Sequence, residues 1–134
     1  MPKSYFNPPT LFPSQQYGFS QIVTSRGGTT VYLSGQVGWD AQEQLGEPGD
    51  FEAQVRRALA NLDAAMQAAG GTRDDVVALR IYLVGEHIRE TRVVREALLA
   101  FFRPDRQPAS TWIGVTALAN PDFLVEIEAT AVIE

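Results

Sequence analysis

Two hydrophobic periods alternate along this chain, and their order leaves few folds open. Phe51, Val55, Leu59, Leu62 and Met66 recur every three or four positions, with charged residues and glutamines between them. That spacing puts one apolar stripe along an α-helix. Asp50 stands where its carboxylate caps the first free N–H groups, and Gly70-Gly71 where left-handed backbone ends the helix. The same period returns through Val93, Val94, Ala97, Leu98, Phe101 and Phe102. It predicts a second helix over about 90–102, which Pro104 and Pro108 terminate. Elsewhere the period is two. Val77, Leu79, Ile81 and Leu83 alternate with Ala78, Arg80, Tyr82 and Val84, and residues 107–115 and 124–132 also read as strands.

Before the first helix, Gln21 to Arg26 and Thr30 to Gln36 are β-type runs separated by Gly27-Gly28, the signal of a hairpin. Residues up to about Gly18 are rich in Pro, Ser, Asn and Gln and read as an irregular or edge-strand arm. Thr72 to Asp75 forms a short capped turn. The predicted order is β-β-α-β-α-β-β, an α+β layout in which two helices cover one face of one sheet. At 134 residues the chain is long enough for one core and too short for two, so residues 1–134 are expected to form a single domain.

Composition removes several classes of function. No stretch approaches the roughly 20 apolar residues of a membrane span, and the N-terminus lacks the basic-then-apolar layout of a secretory signal. The expectation is a cytoplasmic protein with no membrane partner. The absence of cysteine excludes disulfides, thiol nucleophiles and thiolate metal sites, and His87, the lone histidine, cannot assemble a zinc site or a Ser-His-Asp triad. A formal net charge of −5 repels polyanions, which argues against nucleic acid as a partner.

The uncovered face of the sheet has its own implication. Along the last strand Val125, Ile127, Ala129, Ala131 and Ile133 point one way, leaving Glu126, Glu128, Thr130 and Val132 on the other. The same second face is expected to carry Tyr82, Val84 and Trp112. Such a mixture is unlike a solvated surface and predicts burial against identical subunits.

Several segments, taken in order and spacing, resemble the RidA/YjgF family, also called the L-PSP endoribonuclease or translation-initiation-inhibitor family. They are Tyr17 near the end of the arm, Ser34-Gly35-Gln36, Ala68-Ala69-Gly70-Gly71, Ala100-Phe101-Phe102, Gln107 to Val115, and Val125-Glu126-Ile127-Glu128-Ala129. The resemblance covers nearly the whole chain and implies a chorismate-mutase-like fold, a homotrimer, and small-molecule clefts between subunits. In the imine-hydrolysing branch it implies a cleft holding an arm tyrosine, the backbone of a Ser-Gly step, an arginine after a Pro-Ala step, and a glutamate on the last strand. Here those positions are Tyr17, Ser34, Gly35, Ser110 and Glu126. The arginine is therefore replaced by Ser110. No metal or organic cofactor is implied, because an α-imino acid already carries an electrophilic carbon. The protein need only hold the carboxylate, position water and manage protons.

A serine hydroxyl offers one neutral hydrogen bond where arginine offers a bidentate charged clamp. Losing a charged hydrogen bond of about 1.5–3 kcal/mol weakens carboxylate binding by roughly ten- to a hundredfold or more. Trp112, two residues from Ser110, together with Trp39 and Tyr17, points to a more aromatic pocket. Two readings stand for Glu126: acid/base catalyst, or a glutamate bonded to backbone donors at a subunit interface. Tyr17 and Trp112 serve equally well as interface packing or as ligand walls. Arg95, Arg103 and Arg106 are the cations able to replace the missing charge, and each is also the sort of residue that sits in solvent. Two functions follow: a hydrolase acting on imines, enamines or related intermediates with Glu126 as catalyst, or a non-catalytic trimer binding a small metabolite in the same clefts. Ribonuclease activity is disfavoured by charge and by the lack of a histidine pair.

Overall fold

The computed structural model describes residues 2–134. Its strands are β1 (Ser4–Phe6), β2 (Ile22–Thr24), β3 (Thr29–Gln36), β4 (Val76–Val84), β5 (Ala109–Val115) and β6 (Val125–Ile133), and its helices are α1 (Phe51–Ala68) and α2 (Thr91–Phe101). The main sheet has the order β3-β6-β4-β5, antiparallel except for the parallel β4–β5 pair, and both helices pack on one face. This is the expected α+β arrangement. No described helix is long and apolar enough to cross a membrane.

The apolar stripe of α1 is buried as its period requires: Phe51, Val55, Leu59, Leu62 and Met66 all lie in the core. Fully burying a side chain such as Leu62 stabilises the fold by about 2 kcal/mol. Asp50 caps the helix by accepting from the Ala53 N–H at 3.0 Å, and the Gly71 N–H closes its other end on the Met66 carbonyl at 2.9 Å. Thr72 and Asp75 form the expected capping box. From that turn Arg73 donates twice to Asp63 of α1 (3.2 and 3.0 Å) and once to the Phe101 carbonyl at the end of α2 (3.1 Å), with its guanidinium 4.0 Å from the centre of the Phe101 ring. One arginine thus ties the two helices together.

Three sequence expectations are corrected. The Gly27-Gly28 turn forms, with both residues at positive φ (64° and 73°), but it does not join a hairpin. β2 pairs with β1 of the arm, and β3 pairs with β6. Val31 and Leu33 of β3 pack against the core, and that burial outweighs local pairing. A second correction concerns β4. Its register slips between Val76 and Ala78, so Val76 is buried beside Leu79, Ile81 and Leu83 while Val77 is only half-buried.

The third concerns Trp112, which does not share the face of Tyr82. The parallel register places Trp112 beside Ile81 and Ser110 beside Leu79, both core residues on the helix side. Tyr82 and Glu126 stand together on the opposite face. Alternation within a strand cannot reveal its parity relative to a neighbour reached through a long connection.

Candidate functional site

The residues expected to act together fall into two groups on opposite faces of the sheet. The first is built on β3 and β6. Leu33 pairs with Ala129 and Gln36 with Ile127, so Ser34 and Gly35 together oppose the single residue Glu128, forming a bulge. The Glu126 side chain lies over Gly35: a Cβ there would fall 2.0 Å from Glu126 Oε2 and 2.6 Å from its carboxyl carbon. Only glycine permits that approach. Glu126, Gly35, Tyr82, Leu118 and Glu128 line an open cavity of about 380 Å³, and the exposed Ser34 sits at the bulge. The Tyr82 hydroxyl donates to the Glu128 carboxylate. That bond, with partial desolvation and the charge of Glu128, raises the Tyr82 pKa above its usual 10.0. Glu126 is therefore the carboxylate on this face whose oxygens are not committed to the tyrosine.

Trp39 borders the same region from the loop after β3. It packs edge-on against Phe123 at 4.7 Å and shares a second cavity, of about 350 Å³, with Gly35, Val37 and Asn61. Two polar residues of α1 hold these loops. The Asn61 amide donates to the carbonyls of Val37 (2.9 Å) and Trp39 (2.8 Å). Buried Gln54 donates to the Asp122 carbonyl (3.0 Å) and accepts from the Leu124 N–H (2.9 Å). The sequence carries a signal for both: polar residues seven apart on or beside a helix's apolar stripe need partners once buried.

The second group lies at the β5 edge of the sheet, on the helix side. Tyr17, Phe19, Thr91, Ser110 and Trp112 line a cavity of about 360 Å³. The Trp112 indole N–H donates to Ser110 Oγ at 3.0 Å, so the serine expected to face a ligand is held by the neighbouring aromatic. Phe19 meets Trp112 at 6.0 Å, and Phe12 meets Phe19 and Tyr17 at 6.2 and 6.4 Å. Phe19 and Thr91 were missed at the sequence level, since neither belongs to a recognisable motif. A 3-10 turn over Ser14–Tyr17 presents Tyr17, and the arm is tied to β5 where the Ser20 N–H donates to the Pro108 carbonyl at 2.9 Å. Within one chain β4 separates Ser110 from Glu126, so the two lie roughly 10 Å apart laterally, given strand spacings near 4.8 Å, and they point to opposite sides. A cleft of about 250 Å³ between α1 and α2 holds none of the expected residues.

The family model described as Endoribonuclease L-PSP matches residues 12–133. The chain belongs to the RidA/YjgF family. It is 31% identical to a protein of Dermatophagoides farinae named 2-iminobutanoate/2-iminopropanoate deaminase, over 99% of this chain and 98% of that one. It is 35% identical to the RutC family protein YjgH of Escherichia coli, over 78% of this chain and 77% of that one. Among solved structures it is similar to the Rid family protein YyfB of Yersinia pestis, with a TM-score of 0.94 and 39% identity, covering 99% and 100% of the two chains.

In this RidA/YjgF chain the positive charges near position 110 are unequally committed. Arg103 pairs with Asp74 (3.4 Å) and Asp105 (3.1 Å), and Arg106 lies over the Tyr5 ring, 5.8 Å from its centre. Arg95, on α2, is partly buried and has no ion-pair or hydrogen-bond partner among the described residues. His87 is half-buried. It stacks on Phe51 at 4.6 Å, with Nδ1 against the Glu90 carboxylate.

Proposed function

We propose that this RidA/YjgF chain is a small-molecule hydrolase acting on imines, enamines or related intermediates, with Glu126 as the acid/base residue. The observation that carries the reading is the Glu126 carboxylate seated against the Gly35 bulge beside an open cavity. The relative named as an imine deaminase supports the reaction class. Water held by Glu126 would add to the imine carbon, and the same carboxylate would pass the proton to the departing nitrogen. Because Tyr17, Ser110 and Trp112 lie on the other side of the sheet, the complete cleft in this proposal forms between copies in a homotrimer. One copy supplies Glu126, Ser34, Gly35 and Trp39, and its neighbour supplies the other three.

Semicarbazide trapping of freshly generated α-imino acids tests the proposal. Native protein should divert the imine to keto acid, and Glu126→Gln should reduce that rate roughly a hundredfold or more. Co-expressing Glu126→Gln with a chain blocked at the other half, Ser110→Tyr, should restore part of the activity, since mixed trimers contain clefts with both halves intact. Absence of turnover with native protein on aliphatic and aromatic imines overturns the hydrolase reading. Activity without complementation overturns the shared cleft.

The bond between Ser110 and Trp112, in place of a free arginine, favours one second reading, a metabolite-binding trimer without turnover. It predicts saturable binding and no change in the ligand.

A further inference from the structure

We propose that the cleft between α1 and α2 is a second ligand site, separate from Glu126 and from the Ser110 cavity, and that it takes a small zwitterion with an apolar side chain, such as a free aliphatic amino acid. The inference does not depend on the hydrolase reading, because none of the residues used there lines this cleft.

Helix packing supplies the apolar half of the argument. Positions 52, 56 and 59 share one face of α1, and Val93, Ala97 and Ala100 share one face of α2. Between these faces lies a space of about 250 Å³. Its floor is apolar: Leu59 is buried, and Val93, Ala97 and Phe101 are half-buried. The small side chains of Ala97 and Ala100 leave the gap between the helices unfilled. A volume just below the roughly 300–1,000 Å³ of drug-sized ligand cavities suits a molecule on the scale of one amino acid. Both helices pack on the same face of the sheet, so covering the opposite face leaves the cleft open to solvent.

Four charged side chains supply the other half: Glu52, Arg56, Arg73 and Glu96. Arg73 is stacked 4.0 Å over the Phe101 ring, and three of its five N–H groups are bonded, two to Asp63 and one to the Phe101 carbonyl. Two are left beside the apolar floor, and a carboxylate is the acceptor that suits them. Arg56 pairs with Glu52 at 3.6 Å and Arg92 with Glu96 at 3.0 Å, each pair along its own helix. Among the described residues no ion pair joins α1 directly to α2, so Arg56 and Glu96 line one cleft without bridging it. The balance of two carboxylates and two guanidiniums decides the class of ligand. A lone anion meets Glu52 and Glu96, and a lone cation meets Arg56 and Arg73. A zwitterion satisfies both signs, with its carboxylate on Arg73 and its ammonium on Glu96, while its side chain covers Leu59 and Ala97.

Isothermal titration of the intact protein with L-leucine, with isocaproate, which lacks the ammonium, and with isoamylamine, which lacks the carboxylate, tests class and place together. Leucine should bind saturably and at least tenfold more tightly than either analogue. Arg73→Gln should weaken leucine roughly tenfold, and Glu96→Gln, at a more exposed position, roughly two- to fivefold. Ala97→Leu fills the floor and keeps every charge, so it should remove binding, and it decides the place if Arg73→Gln does not fold by circular dichroism. Trp112→Leu should leave the leucine affinity as it is. No saturable binding of leucine overturns the site, and an analogue that binds as tightly as leucine overturns the zwitterion class. Leucine binding that survives Ala97→Leu, or that Trp112→Leu removes, puts the ligand elsewhere and overturns the cleft. Each outcome is read as binding, so the presence or absence of imine turnover does not enter.

Discussion

At the scale of single residues, Gly35 and Ser110 do opposite things in the two groups that the proposed cleft would join. Gly35 keeps space open, since the Glu126 carboxylate occupies the volume of its missing Cβ. Gly35→Ala should force the carboxylate off the bulge and cut imine hydrolysis at least tenfold while leaving the fold intact, because displacement at a reacting group is felt strongly in rate. The check is the trapping assay beside a thermal melt; unchanged turnover would separate Glu126 from the chemistry. Ser110 instead fills space jointly with Trp112, to which it is bonded at 3.0 Å. An arginine there must displace the indole, so Ser110→Arg should lower stability by about 1–3 kcal/mol and move the tryptophan emission to the red. A variant as stable as native protein, with unchanged emission, would show that the indole leaves room.

At the scale of elements, two contacts join pieces that the chain order leaves separate. Arg73 links the turn before β4 to α1 and to the end of α2. Its side chain is more than a third exposed, so solvent weakens the ion pair, and Arg73→Ala should lower unfolding stability by about 1–2 kcal/mol in urea melts. Tyr82 and Glu128 join β4 to β6 across the open face. Because folding raises the Tyr82 pKa, the folded state holds that proton more tightly than the unfolded chain does. Its contribution is fully present below about pH 10 and is lost as pH rises through the folded value. Native protein should therefore lose urea resistance between pH 9 and 11 more steeply than Tyr82→Phe, and parallel losses would mean that the bond is weak in solution.

At the scale of the whole molecule, the open face of the sheet is where the proposed trimer would join the two separated groups of residues. Tyr32 stands on it 82% exposed, opposite Thr130, on the same face as Tyr82 and Glu126. An aromatic left in water on the sheet face that also carries Glu126 fits the proposed trimer. Light scattering should give native protein a mass near three times the 14.7 kDa of one chain. Tyr32→Glu, which adds a charge to that face, should shift the population toward single chains and abolish turnover with it. A native protein that runs as one chain at micromolar concentration would remove the shared cleft.

Local chemistry determined the elements of this protein. The stripe from Phe51 to Met66, the Asp50 cap, the Thr72 box and the alternation through Val125 and Ile133 each depend on neighbours a few residues away, so periodicity and capping rules could read them. The family resemblance likewise followed from short segments in order. Tertiary structure alone decided which strands pair, and with that the sides on which the functional groups stand. β3 left its expected hairpin for β6 because burying Val31 and Leu33 outweighs a local turn. Val77 gave its inward place to Val76 through one slipped register, and Trp112 fell to the helix side with Ser110. The partner of a strand and the parity of its side chains are set by contacts far apart in sequence, and no pattern within a single segment records them.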